Sequence, residues 1–366
     1  MHFKIDPRFA GYFRDLKQVF LYVTDERNLR CVHCLYKPDL IFHLKEKEIE
    51  LNTALALISD FREMGATKLT IMGGEPTLYG MSQDWKPLLT LIKEAKQLGY
   101  EYVRIDTNGQ FEEGLLAKED FKRLDEITFS LDGPNPAIND PIRGAGTFEK
   151  CVANLKRAIE LHYSVDITCC LHKGLIQRNT DGNLLLDTMI LFAESLGVNR
   201  INFHDLFKTS IPRDCWTGNI DTSLREWIDV WTEIQKNIEA GRYKIPVRAP
   251  QCFVKKEEFD RNPEYYGYCP AKIGERVLIH PNGIIRICSL LIGTPYGIAK
   301  FYEGKIVWDE SSTNELRGHE LEQNTPCTNQ HKGRYFGNFV PLCVSFKPKQ
   351  KELIWEQKLD WEKKRK

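Results

Sequence analysis

The stretch VFLYVTDERNLRCVHC, residues 19–34, places an apolar run directly before a polar loop that carries two cysteines. Its first part, residues 19–24, is rich in β-branched and aromatic residues, as in a buried strand. Similar runs occur at residues 68–72, 102–106, 127–131, 165–171 and 199–204. The loop at 25–34 is therefore predicted to leave the end of the first strand of a larger sheet.

Helical patterns separate these runs. In residues 50–64, 85–98, 147–162 and 183–196, apolar residues recur at spacings of three and four, which indicates amphipathic helices. Alternating strands and helices predict a parallel sheet with right-handed crossovers. Periodicity alone also allows an open doubly wound sheet. We predict an α/β fold: a partial (β/α)6 barrel of the TIM type, followed by a smaller C-terminal α+β domain that bears cysteines.

After residue 207 the alternation of strand and helix patterns ends and a polar connection follows. We predict a barrel over residues 1–207, a linker and helix over 208–245, a second domain over 246–347, and a charged helix or tail over 348–366. In the second domain, two short apolar runs flank Pro281-Asn282-Gly283. Asn and Gly tolerate positive φ, so residues 276–288 are predicted to form a hairpin.

Charge and composition exclude several classes of partner. The chain has 51 basic and 51 acidic residues, so it has no overall field to attract nucleic acid or an anionic membrane. The first residues lack the apolar region of a signal peptide, and no stretch approaches a membrane span. We expect a cytoplasmic protein without a nucleic-acid or membrane partner. Its 11 cysteines are thinly spread, which favours thiols or metal ligands over disulfides.

The loop after the first strand resembles the signature of radical S-adenosylmethionine (SAM) enzymes. That signature, CxxxCxxC, is matched by Asn28-Leu29-Arg30-Cys31 and by Cys34, but Arg27 stands where the first cysteine is expected. In the family, three thiolates hold a 4Fe-4S cluster, and SAM binds the fourth iron. The resemblance implies that Cys31 and Cys34 are catalytic cluster ligands and that His33 lies near the adenine of SAM.

Arg27 is chemically unsuited to the place it occupies. A guanidinium stays protonated and offers iron no lone pair. No cysteine precedes Cys31, and the next after Cys34 is Cys151, so two thiolates would have to hold the cluster. Next to the SAM sulfonium, at about 4 Å and an intermediate dielectric, the added cation costs on the order of 4 kcal/mol before screening. Weaker candidate ligands nearby are Asp25, Glu26 and His33.

Three further motifs follow strand ends in the family's order. They are Gly73-Gly74-Glu75, Ser130-Leu131-Asp132-Gly133 and Ile142-Arg143-Gly144; Thr107-Asn108-Gly109 marks another recurrent family position. Taken singly, each is also an ordinary turn or a surface arginine. Ligands of barrel folds bind at the carboxyl ends of strands, which supports a shared site. The resemblance implies SAM contacts from Gly73, Gly74, Glu75, Ser130, Asp132 and Arg143.

The C-terminal region carries a second set of spaced cysteines. The spacing from Cys269 through Gly283 to Cys288 resembles the opening of SPASM and Twitch domains. It implies one auxiliary iron-sulfur cluster, with Cys327 and Cys343 completing four thiolates. A zinc site or scattered buried cysteines are the alternatives. Spare candidate ligands are Cys252 and His331. No catalytic role is expected of the remaining cysteines, Cys151, Cys169, Cys170 and Cys215.

The resemblance implies an enzyme that cleaves SAM to a 5′-deoxyadenosyl radical and modifies an unactivated carbon of a peptide or small molecule. Its electron donor would be a flavodoxin or ferredoxin, and Arg27 would impair it. The alternative is a non-catalytic scaffold or peptide-binding partner protein. A phosphate-handling barrel is disfavoured because neither GxGxxG nor GxxxxGK(S/T) occurs.

Overall fold

The structure is a computed structural model, and it describes residues 2–34, 48–205, 220, 222, 224–249, 251, 253–266, 269, 271, 273–291, 297–310 and 337–342. Several predictions fall outside these ranges. They concern the tail at 348–366, most of the connection after residue 207, and five side chains: Cys215, Cys252, Cys327, His331 and Cys343.

The described strands are β1 (Lys4–Ile5), β2 (Gln18–Tyr22), β3 (Lys68–Met72), β4 (Tyr102–Thr107), β5 (Glu126–Ser130), β6 (Val165–Leu171), β7 (Arg200–Asp205), β8 (Val247–Arg248), β9 (Phe253–Lys255), β10 (Arg276–Ile279), β11 (Ile284–Arg286), β12 (Ala299–Tyr302), β13 (Lys305–Trp308) and β14 (Phe339–Pro341). The helices are α1 (Pro7–Tyr12), α2 (Leu51–Glu63), α3 (Lys86–Gln97), α4 (Pro136–Arg143), α5 (Thr147–Glu160), α6 (Leu185–Leu196), α7 (Leu224–Glu239), α8 (Lys256–Arg261) and α9 (Pro263–Tyr266).

Strands β2 to β7 lie side by side in chain order and are all parallel. The register aligns Phe20 with Thr70, Thr70 with Arg104, and Arg104 with Glu126. All six predicted strands are present, and the predicted partial (β/α)6 barrel is confirmed. Because parallel strands end at one edge, their carboxyl-end loops share one face of the barrel.

The helices cover this sheet with the apolar faces that their periodicity predicts. Leu57 of α2, Leu91 of α3, Leu155 of α5 and Ile190 of α6 are completely buried in one core. Burial of each such side chain contributes roughly 1.5–3 kcal/mol. Among the described helices, none combines the length and apolarity that crossing a membrane requires.

The predicted hairpin at residues 276–288 is confirmed, and it belongs to the barrel sheet. Strand β10 pairs antiparallel with β11 and parallel with β2. Gly283 has φ +86°, and a Cβ there would lie 2.7 Å from the Phe301 oxygen, so this tight turn requires glycine. Strands β12 and β13 extend the sheet to β1. The boundary between the two proposed domains stays a prediction.

Candidate functional site

The loops after β2 and β3 meet through backbone hydrogen bonds. The Gly74 N–H donates to the Thr24 oxygen and the Glu75 N–H to the Glu26 oxygen, each at 2.7 Å. A Cβ on Gly74 would lie 2.0 Å from the Glu26 oxygen, and one on Gly73 would lie 2.6 Å from the Thr24 oxygen. Only glycine permits this approach. The glycine pair therefore positions the cysteine loop, a role that the family resemblance did not imply.

Glu75 joins the loops after β3 and β4. Its buried carboxylate accepts hydrogen bonds from the hydroxyls of Thr77 and Thr107, both at 2.7 Å, and from the Asn108 N–H at 2.8 Å. Burial raises the pKa of Glu75, although these donors oppose the shift. A carboxylate so fully engaged stabilises the loop arrangement. Contact of Glu75, Gly73 or Gly74 with SAM stays a prediction.

The Arg27 guanidinium lies beside the predicted cluster cysteines. Its Nη1 is 3.7 Å from the Cys34 Sγ. Both cysteines of the loop are half-buried free thiols, and burial raises the pKa of Cys31 to about 11. The Val32 N–H donates to the Ile142 oxygen at 2.8 Å, which ties the loop to α4. Arg27 thus brings a fixed positive charge to a thiol that the resemblance assigns to iron.

Asp132 is the centre of the site. Its fully buried carboxylate lies 2.6 Å from the Arg143 Nε and 3.5 Å from the His33 Nε2. Its Oδ1 also accepts a hydrogen bond from the Cys170 N–H at 2.7 Å. Burial alone would raise the pKa of Asp132, but the Arg143 charge, the hydrogen bond from the Cys170 N–H and the flanking histidines together outweigh burial, and the pKa is lowered. The carboxylate is therefore ionised and held by the protein's own groups.

Helix α4 brings Arg143 to this carboxylate. Its N-cap is Asn135, whose side chain accepts from the Ile138 N–H, as helix N-termini require. Within the helix, the Asn139 Oδ1 accepts from the Asp132 N–H at 2.9 Å. Gly133 allows this packing, because a Cβ there would lie 2.7 Å from the Asn139 nitrogen. Helix α4 therefore holds both members of the ion pair: Asn139 binds the Asp132 backbone, and Arg143 is its last residue.

Two buried histidines flank Asp132. Burial lowers the pKa of His33 to about 4, and its Nδ1 has no hydrogen-bond partner among the described residues. The His172 Nε2 lies 2.7 Å from the backbone carbonyl oxygen of Asp132, and burial lowers the pKa of His172 as well. Both imidazoles are therefore neutral near pH 7. The His172 Nδ1 already accepts a hydrogen bond from the Gly174 N–H at 3.2 Å, whereas the His33 Nδ1 can still accept one from a ligand.

A charged network fills the barrel interior. Glu126 accepts from the Tyr102 hydroxyl and the Thr128 hydroxyl, and it pairs with Arg104 and Arg200 at 3.5 and 3.7 Å. Two further carboxylates complete the network: Asp106 pairs with Arg104 and Asp166 with Arg200. Because these three carboxylates compensate Arg104 and Arg200, this network forms without isolated charges.

His280 adds a titratable ring at the end of β10. It stacks on Tyr22 with ring centroids 4.3 Å apart, and its Nε2 has no hydrogen-bond partner among the described residues. Burial and then the charge of Arg286 lower its pKa well below the ordinary value.

This shift predicts a loss of stability in mild acid. As pH falls, the unfolded histidine takes up a proton near pH 6.5 while the folded one stays neutral, so the stability present above that pH is lost below it. Between pH 7.5 and 5.5 the loss from this residue is at most about 1.4 kcal/mol. Urea unfolding at both values measures it. A His280→Phe variant, which retains the stacking, should lose less stability than the parent; equal losses would contradict the assignment.

The structure brings together several of the residues that the sequence singled out. Cys31, Cys34, His33, Asp132 and Arg143 share one site, and the glycine motif adjoins it. Ser130 lies half-buried at the end of β5, and its backbone oxygen accepts from the Cys151 thiol. In the C-terminal region, Cys288 is buried 3.7 Å from the Arg276 Nη2 and Cys269 is half-buried.

Sequence reasoning missed two members of the site, Cys170 and His172. Alternation along β6 supplied part of the signal, because neighbouring strand residues face opposite sides. Cys169 is buried in the core, whereas Cys170 is half-buried and its ligand atom lies near those of His33 and Asp132. Which face of β6 meets the cysteine loop becomes clear only from the folded chain.

Comparisons with known proteins find similar sequences and folds. Residues 23–178 match the family described as the Radical SAM superfamily. The GTP 3′,8-cyclase of Petrotoga mobilis is 26% identical over 251 residues, which are 64% of this chain and 72% of that protein. The GTP 3′,8-cyclase of Limosilactobacillus fermentum is 33% identical over 165 residues, which are 44% of this chain and 47% of that protein.

Solved structures share the fold at low identity. Streptococcus suis SuiB bound to the precursor peptide SuiA superposes with a TM-score of 0.63 and 14% identity, covering 88% of this chain and 72% of that one. The structure described as native anSMEcpe with AdoMet and Cp18Cys peptide gives 0.60 and 12%, covering 90% and 93%. The matched segment contains the cysteine loop, Asp132 and Arg143. This chain therefore carries a radical SAM domain, at residues 23–178.

Proposed function

We propose that the carboxyl end of the barrel binds SAM and that the chain descends from enzymes that cleave it to a 5′-deoxyadenosyl radical. Arg27 impairs this activity in the present chain. The observation that carries the proposal is the assembly of Asp132, Arg143 and the Cys31–Cys34 loop at the strand ends, with Arg27 against the Cys34 sulfur. A radical SAM domain implies SAM and a 4Fe-4S cluster as cofactors.

The residues present fit SAM. The buried His33 imidazole has no hydrogen-bond partner for its Nδ1 among the described residues, so this nitrogen can contact a ligand. Ser130 is half-buried at the strand end, where its hydroxyl can donate to a carboxylate. Arg143 presents its Nε to Asp132, and the planar guanidinium has further donors suited to the SAM carboxylate.

The residues present do not fit a three-thiolate cluster. Cys31 and Cys34 supply two thiols, and the third expected place holds a guanidinium 3.7 Å from the Cys34 sulfur. A cation at that distance stabilises a thiolate but cannot bind iron. The residues that remain able to act are those that would bind and orient SAM.

The substrate class rests on relatives and is part of the proposal. One solved relative is bound to a precursor peptide, and the curated relatives are named for GTP cyclisation. We propose a peptide or small-molecule substrate, a flavodoxin or ferredoxin as the electron donor of the ancestral reaction, and a cytoplasmic location. One auxiliary iron-sulfur cluster at Cys269, Cys288, Cys327 and Cys343 is also proposed. Of these four cysteines, the structure describes Cys288, which is buried, and Cys269, which is half-buried, and both are free thiols.

Metal analysis of the Arg27→Cys variant tests the proposal. After anaerobic reconstitution with iron and sulfide, we expect the variant to hold about four more iron atoms per chain than the parent. The new thiol restores the third ligand, and the change removes the cation beside Cys34. Iron, sulfide and the absorption of the cluster are measured on full-length chains.

The matched control is Arg27→Ser, which removes the cation without adding a thiolate. It should retain the iron content of the parent. Equal iron in all three chains would contradict the ligand argument. A parent chain that already holds a SAM-binding cluster at Cys31 and Cys34 would show that Arg27 impairs nothing. A non-catalytic scaffold is the competing function, and failure of Arg27→Cys to gain iron or bind SAM would favour it.

A further inference from the structure

Positive charge collects in the half of the barrel interior that lies away from the cysteine loop. Strand residues there supply five cationic side chains: Lys68, Arg104, Arg200, Arg248 and Arg276. Three carboxylates pair with cations in this region: Asp106, Glu126 and Asp166. We propose that Arg248 and Arg276 form a binding site for an oxyanion, a phosphate or carboxylate group of the substrate. The site needs neither SAM nor a cluster, and only its assignment to a substrate rests on the proposed function.

Strand register places Arg248 on the interior face of the sheet. Arg248 of β8 aligns with Asn202 of β7, which lies two residues after Arg200. Residues that align in register, like residues two apart in one strand, point to the same face. Arg200 pairs with Asp166 inside the barrel, so Arg248 faces this interior as well. It is half-buried, and within the described part of the chain no carboxylate forms an ion pair with it.

Arg276 reaches the same interior from the other side of the sheet. It aligns with Gln18 of β2, which in turn aligns with Lys68 of β3. The neighbour of Gln18, Val19, is completely buried in the helix-covered core, so Gln18 and Arg276 face inward. The Arg276 Nη2 contacts the sulfur of Cys288, a weak acceptor, and its buried Nε has no hydrogen-bond partner among the described residues. Since buried polar atoms are normally hydrogen-bonded, this guanidinium has donor capacity for a ligand.

The curvature of the sheet brings the two arginines together. Six strands, β2 to β7, separate β8 from β10 in the order of the sheet, yet the charge of Arg276 acts on Arg248. Burial, and then the like charges of Arg200, Arg104 and Arg276, lower the pKa of Arg248 to about 10. Arg248 is therefore still charged near pH 7. A bound anion would relieve the repulsion among these guanidinium groups.

The chemistry of the pair selects an oxyanion. A guanidinium presents a planar fork of N–H donors that matches the oxygens of phosphate and carboxylate. The interior carboxylates do not cancel the charges of Arg248 and Arg276, because they are already paired with Arg104 and Arg200. Both arginines of the proposed site are half-buried, so a ligand can reach them. An anionic substrate would be anchored here, below the strand ends at which SAM is proposed to bind.

Calorimetric titration of the full-length chain with inorganic phosphate and with succinate, at constant ionic strength, tests the site. We expect the parent to bind at least one of these anions, and the tighter one identifies the class of oxyanion. Arg248→Met should weaken this binding at least about tenfold, whereas Arg248→Lys retains the charge and should lose less. The matched control is Arg178→Met, which changes an exposed arginine paired with Glu233 and should bind as the parent does.

Urea unfolding without added anion separates a ligand site from a structural role. Because no described carboxylate pairs with Arg248, we expect Arg248→Met to unfold at the same urea concentration as the parent or at a higher one. Failure of the parent to bind either anion would overturn the proposal, as would equal binding by Arg248→Met or a lower urea midpoint of this variant. The titration uses no SAM, iron or reductant, so this result and the test of Arg27 can fail separately.

Discussion

Asp132→Ala is expected to lower the free energy of unfolding by roughly 3–5 kcal/mol, the cost of breaking a buried ion pair. The variant leaves the buried Arg143 guanidinium without the carboxylate that lies 2.6 Å from its Nε. It also removes the acceptor of the Cys170 N–H. Urea unfolding followed by circular dichroism measures the loss.

Two companion variants separate charge from hydrogen bonding. Asp132→Asn retains an acceptor for the Cys170 N–H and should lose less stability than Asp132→Ala. The double variant Asp132→Ala with Arg143→Met removes both charges, so it should be more stable than the sum of the single losses predicts. A loss of less than about 1 kcal/mol in Asp132→Ala would contradict a buried, ionised pair, because that is the range of exposed pairs.

Glu126→Ala is expected to destabilise the barrel by a similar amount, roughly 3–5 kcal/mol. Glu126 is completely buried between Arg104 and Arg200, and it accepts hydrogen bonds from Tyr102 and Thr128. Its removal leaves these hydrogen-bond donors without their acceptor and takes away the carboxylate that lies between the two guanidinium groups. Thermal and urea unfolding provide the measurement.

The controls for Glu126 are an isosteric and a surface change. Glu126→Gln retains acceptor capacity and should lose less stability than the alanine variant. Glu101→Ala removes an exposed carboxylate one residue before β4, and such surface changes usually stay within about 0.5 kcal/mol. If Glu126→Ala matched Glu101→Ala, the interior network would contribute little to the fold.

The sequence predicted the barrel because its elements have strong local periods. Strands β2 to β7 and helices α2, α3, α5, α6 and α7 all coincide with predicted segments. Local periodicity does not predict which strands pair when they are far apart in the sequence. Lys4 of β1 lies opposite Lys305 of β13, and Gln18 of β2 lies opposite Arg276 of β10. The second of these contacts joins the C-terminal hairpin to the barrel sheet.

The sequence predicts several residues of the site, but it does not predict the contacts that they make with one another. Motifs in the family's order predict His33, Asp132 and Arg143 as site residues, and the structure brings them together, with Arg143 carried by helix α4. The predicted partners were groups of SAM, whereas the observed partners are one another. The sequence predicts no catalytic role for Cys170, because a free cysteine in a strand usually behaves as a small buried hydrophobe. Its place beside Asp132 depends on the register between β5 and β6, which aligns Ser130 with Thr168.

The most direct test of the account measures 5′-deoxyadenosine released from SAM after anaerobic reduction of the reconstituted chains. The Arg27→Cys variant should release at least about tenfold more than the parent, a difference of about 1.4 kcal/mol in activation free energy. Arg27→Ser should remain at the level of the parent. Robust release by the parent chain, equal to that of Arg27→Cys, would contradict the claim that Arg27 deprives this radical SAM domain of a cluster ligand.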